Sequence, residues 1–502
     1  MDPMDYLDSL GQFRMRAGLE RIVGVLRAFG DPHLSIPAVH IGGTNGKGTT
    51  VAMVEAILST FPLRTGSYTS PHLIDVTERL RIQGENVPKD KLSEGIRRIR
   101  DLIEGSPDTE GLTYFEVLTA ASYLIMADEG VDINISEVGM GGRWDATNIL
   151  GPQAVAITSI SMDHMEHLGE DPVSITREKC GIIKPSTPVV VGNICSRLEE
   201  GNRCLRYVLD VCTRNGCPVV VVSEIDRMGE TISLLSSYNV PDWRVIEAHA
   251  RTGNGSTLID LKMHCPVDQA SLEPRFELLD RIMEGSYLVP LAGKHQACNL
   301  AIAVALSLMV LPFALSHNRL RSGDRTALKD LIEGSVDEVN DRYGSSELKE
   351  MVRKGISRVS IRGRGEIFNI DGKEIIIDGC HNLEAARALR ETIRDIFPGR
   401  CVHLLIAMMR DKHPGDMIEP FGGLISTLTI TSLPTERSMG TGDLLRGVLM
   451  GGKDIPEIHI REEPTRAIEE WLERLDGDSI GVAAGSFYLY RHIREFLGRQ
   501  KV

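Results

Sequence analysis

The feature that most restricts what this chain can fold into is residues 39–50, VHIGGTNGKGTT. The apolar run at 36–42, IPAVHIG, reads as a short buried strand. Residues 49–60, TTVAMVEAILST, have helical spacing, with Val51, Val54, Ile57 and Leu58 sharing a face. A glycine turn between a strand and a helix can point successive N–H groups inward, and the helix N-terminus adds positive potential. Gly43, Thr44, Asn45, Gly46, Lys47 and Gly48 therefore form a candidate phosphate loop, with Lys47 reaching the β- and γ-phosphates of a nucleotide. The usual pattern has Ser or Thr directly after the lysine. Here Gly48 intervenes, and Thr49 becomes the candidate hydroxyl for magnesium. The alternative is a glycine turn carrying a surface lysine.

A chain of 502 residues exceeds one hydrophobic core and predicts two or three domains. Lys plus Arg is 56 against 70 Asp plus Glu, a net charge of −14, which argues against nucleic acid as a partner. None of the nine cysteines stands in a CxxC pair, so free thiols in a reducing compartment are expected. The acidic start, MDPMDYLDSL, lacks the features of a signal peptide. The apolar run 303–314, AVALSLMVLPFA, is too short to span a bilayer and reads as a buried helix with a proline near its end. These features predict a cytoplasmic protein with no membrane partner.

Other candidate site residues fall at strand ends. Residues 131–138, VDINISEV, alternate toward Glu137, and Gly139, Gly141 and Gly142 follow. A carboxylate at the C-terminal end of a parallel strand sits where ligands bind and suits a hard cation. Residues 154–160, AVAITSI, form another strand, followed by Asp163 and His164. His164 is either a satisfied loop histidine or a metal ligand, although imidazole is not magnesium's preferred donor. Ser70, before Pro71, is either a loop serine or a ligand contact, and the alternative for Lys179 is a helix-surface lysine. Residues 291–299, LAGKHQACN, put His295 and Asn299 on one helix face. Residues 361–366, IRGRGE, read as a hinge with Arg362 and Arg364 as phosphate clamps. EIIIDGCHN, 374–382, reads as a strand ending in Asp378, His381 and Asn382. Cys380 beside His381 lacks an orienting third group for nucleophilic chemistry. Strands alternating with helices to the C-terminus predict a second α/β domain.

GTNGKGT, then YTSPHL at 68–73, then EVGMGGRWDATN at 137–148, resemble the Mur ligase superfamily, and within it the folylpolyglutamate synthase/dihydrofolate synthase group. The resemblance implies an α/β fold with a Mur-ligase-like P-loop ATP-binding domain and a smaller Rossmann-like α/β C-terminal domain. The division expected is 1–360 and 361–502, with a charged surface insertion at about 315–350. It implies an amide ligase joining L-glutamate to a folate or pteroate carboxylate through an acyl phosphate, using ATP and magnesium, two ions in all. Thr49, Ser70, Glu137, His164 and Lys179 become the metal set, with Lys179 carbamylated. Asp145 and Asn148 would steady the adjoining loop, and residues 70–87 would be a mobile loop near the pterin. Asn299 would read the base, Arg364 would meet the γ-phosphate with Arg362 a weaker rival, Asp378 would hold the nucleotide or reacting groups, and His381 would face the glutamate amine.

The chain departs from the pattern at Ile361-Arg362, where tryptophan-proline is usual, and at Cys180 and Cys380, where alanine is usual. These departures leave room for another carboxylated cofactor as acceptor. A peptidoglycan-precursor ligase would need a UDP-sugar domain before the phosphate strand, and little chain precedes it. A nucleotide-binding regulatory protein would need Lys47 but not Glu137, His164 and Lys179.

Overall fold

The computed structural model describes the chain except residues 12–15, 105–110, 195–197, 254, 266–273, 322–338, 340–341, 453–454 and 500–502. The strands are β1 (Ala38–Gly42), β2 (Thr65–Tyr68), β3 (Leu80–Ile82), β4 (Glu85–Asn86), β5 (Ile133–Glu137), β6 (Ala154–Ile160), β7 (Val189–Ile194), β8 (Val219–Ser223), β9 (Trp243–Gly253), β10 (Ser256–His264) and β11 (Gly285–Val289), then β12 (Glu366–Ile370), β13 (Lys373–Ile377), β14 (Cys401–Ile406), β15 (Ile425–Ile430), β16 (Glu457–Ile460) and β17 (Ser479–Ala484). They form two sheets, one of 11 strands in the order β11-β10-β9-β8-β7-β6-β1-β5-β2-β3-β4 and one of six in the order β12-β13-β17-β14-β15-β16.

The centre of the large sheet is parallel, from β2 through β5, β1, β6, β7 and β8 to β9, with antiparallel strands at both edges. Its strands are apolar because both faces are covered. Val39, Ile41, Ala154, Ala156 and Val190 pack with the helices Lys47–Leu58, Gln296–Arg321 and Ser345–Ile356. The alternate residues Val155, Ile157, Val189 and Val191 pack on the other face with the helix Leu198–Asn215. In the second sheet Ile376 and its neighbours Ile375 and Ile377 likewise belong to opposite cores.

The reading of 303–314 as a buried helix holds, but its length is corrected, as is a second expectation. The apolar run at 303–314 is the middle of a 26-residue helix, Gln296–Arg321, with Pro312 inside it. By length and composition its Gln296–Arg319 part could cross a membrane, yet 89% of its most apolar stretch is buried in the fold. A helix apolar on every side is what a core flanked by a sheet and two other helices requires. Secondly, residues 70–87 are not all loop: Val76–Arg79 is a 3₁₀ turn and β3 and β4 extend the sheet edge. Of the 315–350 segment, 322–338 and 340–341 lie outside the described residues. In the rest, Leu315, Ser316, Val339, Tyr343 and Leu348 are buried, while Arg342, Gly344, Ser346, Glu347 and Glu350 are exposed, so the described parts pair an apolar inner side with a polar outer one.

The helix Ser345–Ile356 approaches the phosphate-loop helix so closely that a Cβ on Gly355 would lie 2.6 Å from the Ala56 carbonyl oxygen and from Ile57 Cα. Backbone cannot rotate aside as a side chain can. Gly355→Ala is expected to destabilise by about 1–3 kcal/mol, read as a lower denaturation midpoint at unchanged m-value; an unchanged or higher midpoint refutes the close packing.

His40 lies in β1, wholly buried, with Nε2 2.8 Å from Thr147 Oγ1. Burial, aided by the charge of Lys184, lowers its pKa from 6.5 to about 3. The unfolded chain then binds a proton that the folded chain refuses, so stability falls as pH drops from 6.5 toward 3. At pH 4.5 the expected loss is roughly 2–3 kcal/mol. Denaturant titrations between pH 4 and 7 should show a shallower slope for His40→Gln, and identical slopes overturn the assignment.

Candidate functional site

The functional side chains converge because β1, β5, β2 and β6 are neighbours and parallel, so their C-terminal ends open on one edge. The phosphate loop leaves β1 there, and its helix begins at Lys47, two residues earlier than the spacing predicts. Gly46 caps that helix with φ +85°, and a Cβ on it would come within 2.3 Å of Asn299 Oδ1, so only glycine fits. β6 holds the loop in place. Thr44 N donates to the Ser159 carbonyl at 2.8 Å, Asn45 N donates to Ser159 Oγ at 2.8 Å, and Thr158 Oγ1 donates to the Asn45 carbonyl at 2.7 Å. Lys47 Nζ folds back to the Thr44 carbonyl at 3.2 Å. Thr49 is buried in the first turn.

Glu137 ends β5 and is 4% exposed. Its Oε2 accepts the Ser70 N–H at 3.1 Å, which brings the β2 and β5 ends together. Burial raises the Glu137 pKa, opposed by the charge of Lys47 and by the Ser70 N–H. Gly48 has no Cβ to fill the space 3.4 Å from Glu137 Oε2. A desolvated carboxylate with hydroxyls of Thr49 and Ser70 on adjoining elements is an all-oxygen donor set, which fits magnesium, an ion that keeps waters and shares phosphate oxygens. No group of three or more His, Cys, Asp or Glu gathers as a metal cage among the described residues.

Lys179 ends the helix Pro172–Lys179 and is 3% exposed. Its Nζ donates to the Gly43 carbonyl of the phosphate loop at 2.8 Å. Burial, then the charge of Lys47, lowers its pKa from 10.5 to about 7. The glycine cluster explains how it is placed: a Cβ on Gly142 would lie 2.9 Å from the Glu178 and Lys179 carbonyl oxygens. Asp145 accepts N–H groups of Met140 at 2.9 Å and Thr147 at 3.0 Å. Asn148 donates to the carbonyls of Arg143 at 3.0 Å and Gly181 at 3.1 Å, tying the same loop.

The second sheet faces this edge with the end of β13. Asp378 accepts the Gly365 N–H at 2.7 Å and the Cys380 N–H at 2.8 Å. The Arg364 guanidinium stacks over Phe487, 4.4 Å from the ring centre, and Arg364 borders a cavity of about 850 Å³ at the domain junction with Leu291, Ile361 and Phe397. Arg362 lines the same cavity. His381 Nδ1 lies 2.8 Å from the Gly379 carbonyl, so it donates there, and Nε2 lies 3.5 Å from Asp163 Oδ2. Asn299 is buried, donates to Gln296 at 3.0 Å and packs against Gly46.

His164 stands apart from Glu137 in its contacts: its Nδ1 is 3.8 Å from Asp411 Oδ2 and its Nε2 is 4.0 Å from Asp163 Oδ2. Burial lowers its pKa to about 4, so the ring is neutral at pH 7. Asp163, named above only as a strand-end residue, is the centre of a charged cluster that the sequence did not reveal. Lys412 Nζ lies 2.5 Å from its Oδ1. Burial alone would raise the Asp163 pKa, yet the hydrogen bond and charge from His381, with His164 and Lys412, hold it well below the usual carboxylate range. Asp163, Asn382 and Lys412 each sit at a strand end or in the DKH string at 411–413, the signal by which they were findable.

The chain matches two family models: Mur ligase middle domain over residues 41–197 and Mur ligase, glutamate ligase domain over residues 363–487. The dihydrofolate synthase/folylpolyglutamate synthase of Haemophilus influenzae is 39% identical over 350 residues, 66% of this chain and 75% of that protein. The probable bifunctional folylpolyglutamate synthase/dihydropteroate synthase of Haloferax volcanii is 26% identical over 494 residues; these are 98% of this chain but only 50% of that protein's length. The crystal structure of Mycobacterium tuberculosis folylpolyglutamate synthase complexed with ADP superposes with a TM-score of 0.76 at 25% identity, covering 99% of this chain and 97% of that one. With a phosphate loop, a strand-end carboxylate and a facing second α/β sheet in one cleft, the chain belongs to the folylpolyglutamate synthase/dihydrofolate synthase family of the Mur ligase superfamily.

Proposed function

We propose that this protein is an ATP-dependent amide ligase that joins L-glutamate to the carboxylate of a folate-type acceptor. The observation that carries the reading is the buried Lys179 amine on the phosphate loop, 2.8 Å from the Gly43 carbonyl, while the charge of Arg364 in the second domain reaches Glu137 at the neighbouring strand end. The names of the Haemophilus relative and the ADP complex of the Mycobacterium neighbour support the acceptor class and the nucleotide. Residues 1–360 are the proposed ATP and acceptor domain and 361–502 the proposed glutamate-ligase domain, in a cytoplasmic setting.

In the proposed reaction an oxygen of the acceptor carboxylate attacks the γ-phosphorus, the bond to ADP breaks, and an acyl phosphate forms. The glutamate amine then attacks the acyl carbon, loses a proton, and expels inorganic phosphate. Lys47 swings from the Thr44 carbonyl to the phosphates, the loop N–H groups cradle them, and Arg364 meets the γ-phosphate from the second domain. Thr49, Ser70 and Glu137 would hold one magnesium, and His164 with a carbamylated Lys179 a second. Bound there, the ions would offset negative charge on the transferring oxygens. Lys179 suits carbamylation because its pKa of about 7 leaves the neutral amine accessible; it would attack CO2 and release a proton, replacing a cation with an anionic oxygen donor. His381, beside Asp163, would orient the incoming amine at the domain junction.

The test is glutamate-dependent phosphate release from ATP with dihydropteroate, tetrahydrofolate, a methylated pterin and a UDP-muramoyl peptide, with products weighed by mass spectrometry. Gain of a glutamyl residue by a pterin acceptor is the expected outcome. Tight ATP binding without turnover on any acceptor overturns the reading.

A further inference from the structure

The two domains are joined at the phosphate loop by a reciprocal side-chain amide pair between residues 337 positions apart. Asn382 Nδ2 donates to Asn45 Oδ1 at 3.0 Å, and Asn45 Nδ2 donates to Asn382 Oδ1 at 3.2 Å. Each amide has further work. Asn382 Oδ1 caps the helix Leu383–Ile396 by accepting the Ala385 N–H at 3.0 Å, and its Nδ2 reaches Asp163 Oδ2 at 3.4 Å. Asn45 Nδ2 also reaches Ser161 Oγ at 3.3 Å, while the Asn45 backbone is held by Thr158 and Ser159. Asn382 is 7% exposed and Asn45 half-buried, so displacing either partner costs both amides a hydrogen bond where little water can replace it.

This pairing accepts one seating of the second domain and one arrangement of the loop. Asn45 lies two residues before Lys47, so whatever fixes Asn45 fixes the origin of the lysine that the ligase reading places on the phosphates. The Lys412–Asp163 ion pair lies beside the amides and braces the same junction through the Asp163–Asn382 contact. We infer that Asn382 is a positioning residue that couples seating of the C-terminal domain to the conformation of the phosphate loop. Its kinetic consequence rests on the ligase reading; the structural coupling does not.

Asn382→Ser tests this, because serine still caps the helix but is too short to reach Asn45. Hydrogen exchange of the ligand-free full chain should rise in the phosphate loop, residues 43–48, as well as near residue 382. A role confined to capping would raise it only in the first turn of the helix Leu383–Ile396, and that result overturns the inference. In the glutamate-dependent assay Asn382→Ser and Asn45→Ser are each expected to lower kcat about tenfold, and the double variant no further, since one interaction is removed once. A multiplicative loss of about a hundredfold in the double variant also overturns it. A wild type without turnover defeats the ligase reading alone, and the exchange comparison still decides the coupling.

Discussion

Lys179→Ala is expected to lower ligation by about a thousandfold, the scale of losing charge stabilisation at the transferring phosphoryl group, while leaving the fold intact. Lys179 is buried and its Nζ meets the Gly43 carbonyl, so the substitution removes a desolvated amine that opposes folding and one hydrogen bond that favours it. The thermal midpoint should therefore move little. If the working form is a carbamate, a short carboxylic acid added to Lys179→Ala should restore part of the rate by supplying the missing anionic oxygens. The wild-type rate should also fall in CO2-depleted buffer, and at pH values well below 7, where the amine becomes protonated and ceases to be a nucleophile. Wild-type-like turnover in Lys179→Ala removes the residue from the mechanism. A large loss with no rescue and no CO2 dependence leaves the amine itself as the working group and refutes carbamylation.

Lys47→Ala is expected to reduce kcat by about a hundredfold to a thousandfold, the range for removing one aimed charged donor from a transition state. Lys47 is half-buried at the helix start, and its Nζ contact with the Thr44 carbonyl does not hold the loop together; β6 does that through Ser159 and Thr158. The variant should thus fold and still bind ADP, and the loss should appear in kcat. Lys47→Arg should not recover it, because a planar guanidinium is longer and less compact than an ammonium. A coupled effect follows from the charge of Lys47, which helps to depress the Lys179 pKa. Without it the Lys179 pKa rises and the neutral amine is reached only at higher pH, so CO2-dependent modification should shift to the alkaline side. Unchanged kcat in Lys47→Ala would show that the loop does not work as a phosphate-activating element.

What the sequence determined by itself is local. Strand, glycine turn and helix at 36–60, the strand ends at Glu137 and Asp378, and the alternation of strands and helices after 361 are set by periodicity and by glycine's backbone freedom, both carried by neighbouring residues. The family resemblance, resting on motifs in order, added the activity class. What only the tertiary structure decided depends on residues far apart in the chain. Helical spacing marked 295–299 and 303–314 separately and could not show that one helix, Gln296–Arg321, joins them, because a helix buried on nearly every side has no polar face to mark its length. Nor could residues 80–86 be told from a loop, since short edge strands are defined by the partner that accepts their hydrogen bonds. Asp163, Lys412, Asn45 and Asn382 carry ordinary loop residues in ordinary loop positions. They form a junction only because two separate sheets present their strand ends to each other, and burial then turns each polar contact into one that must be satisfied.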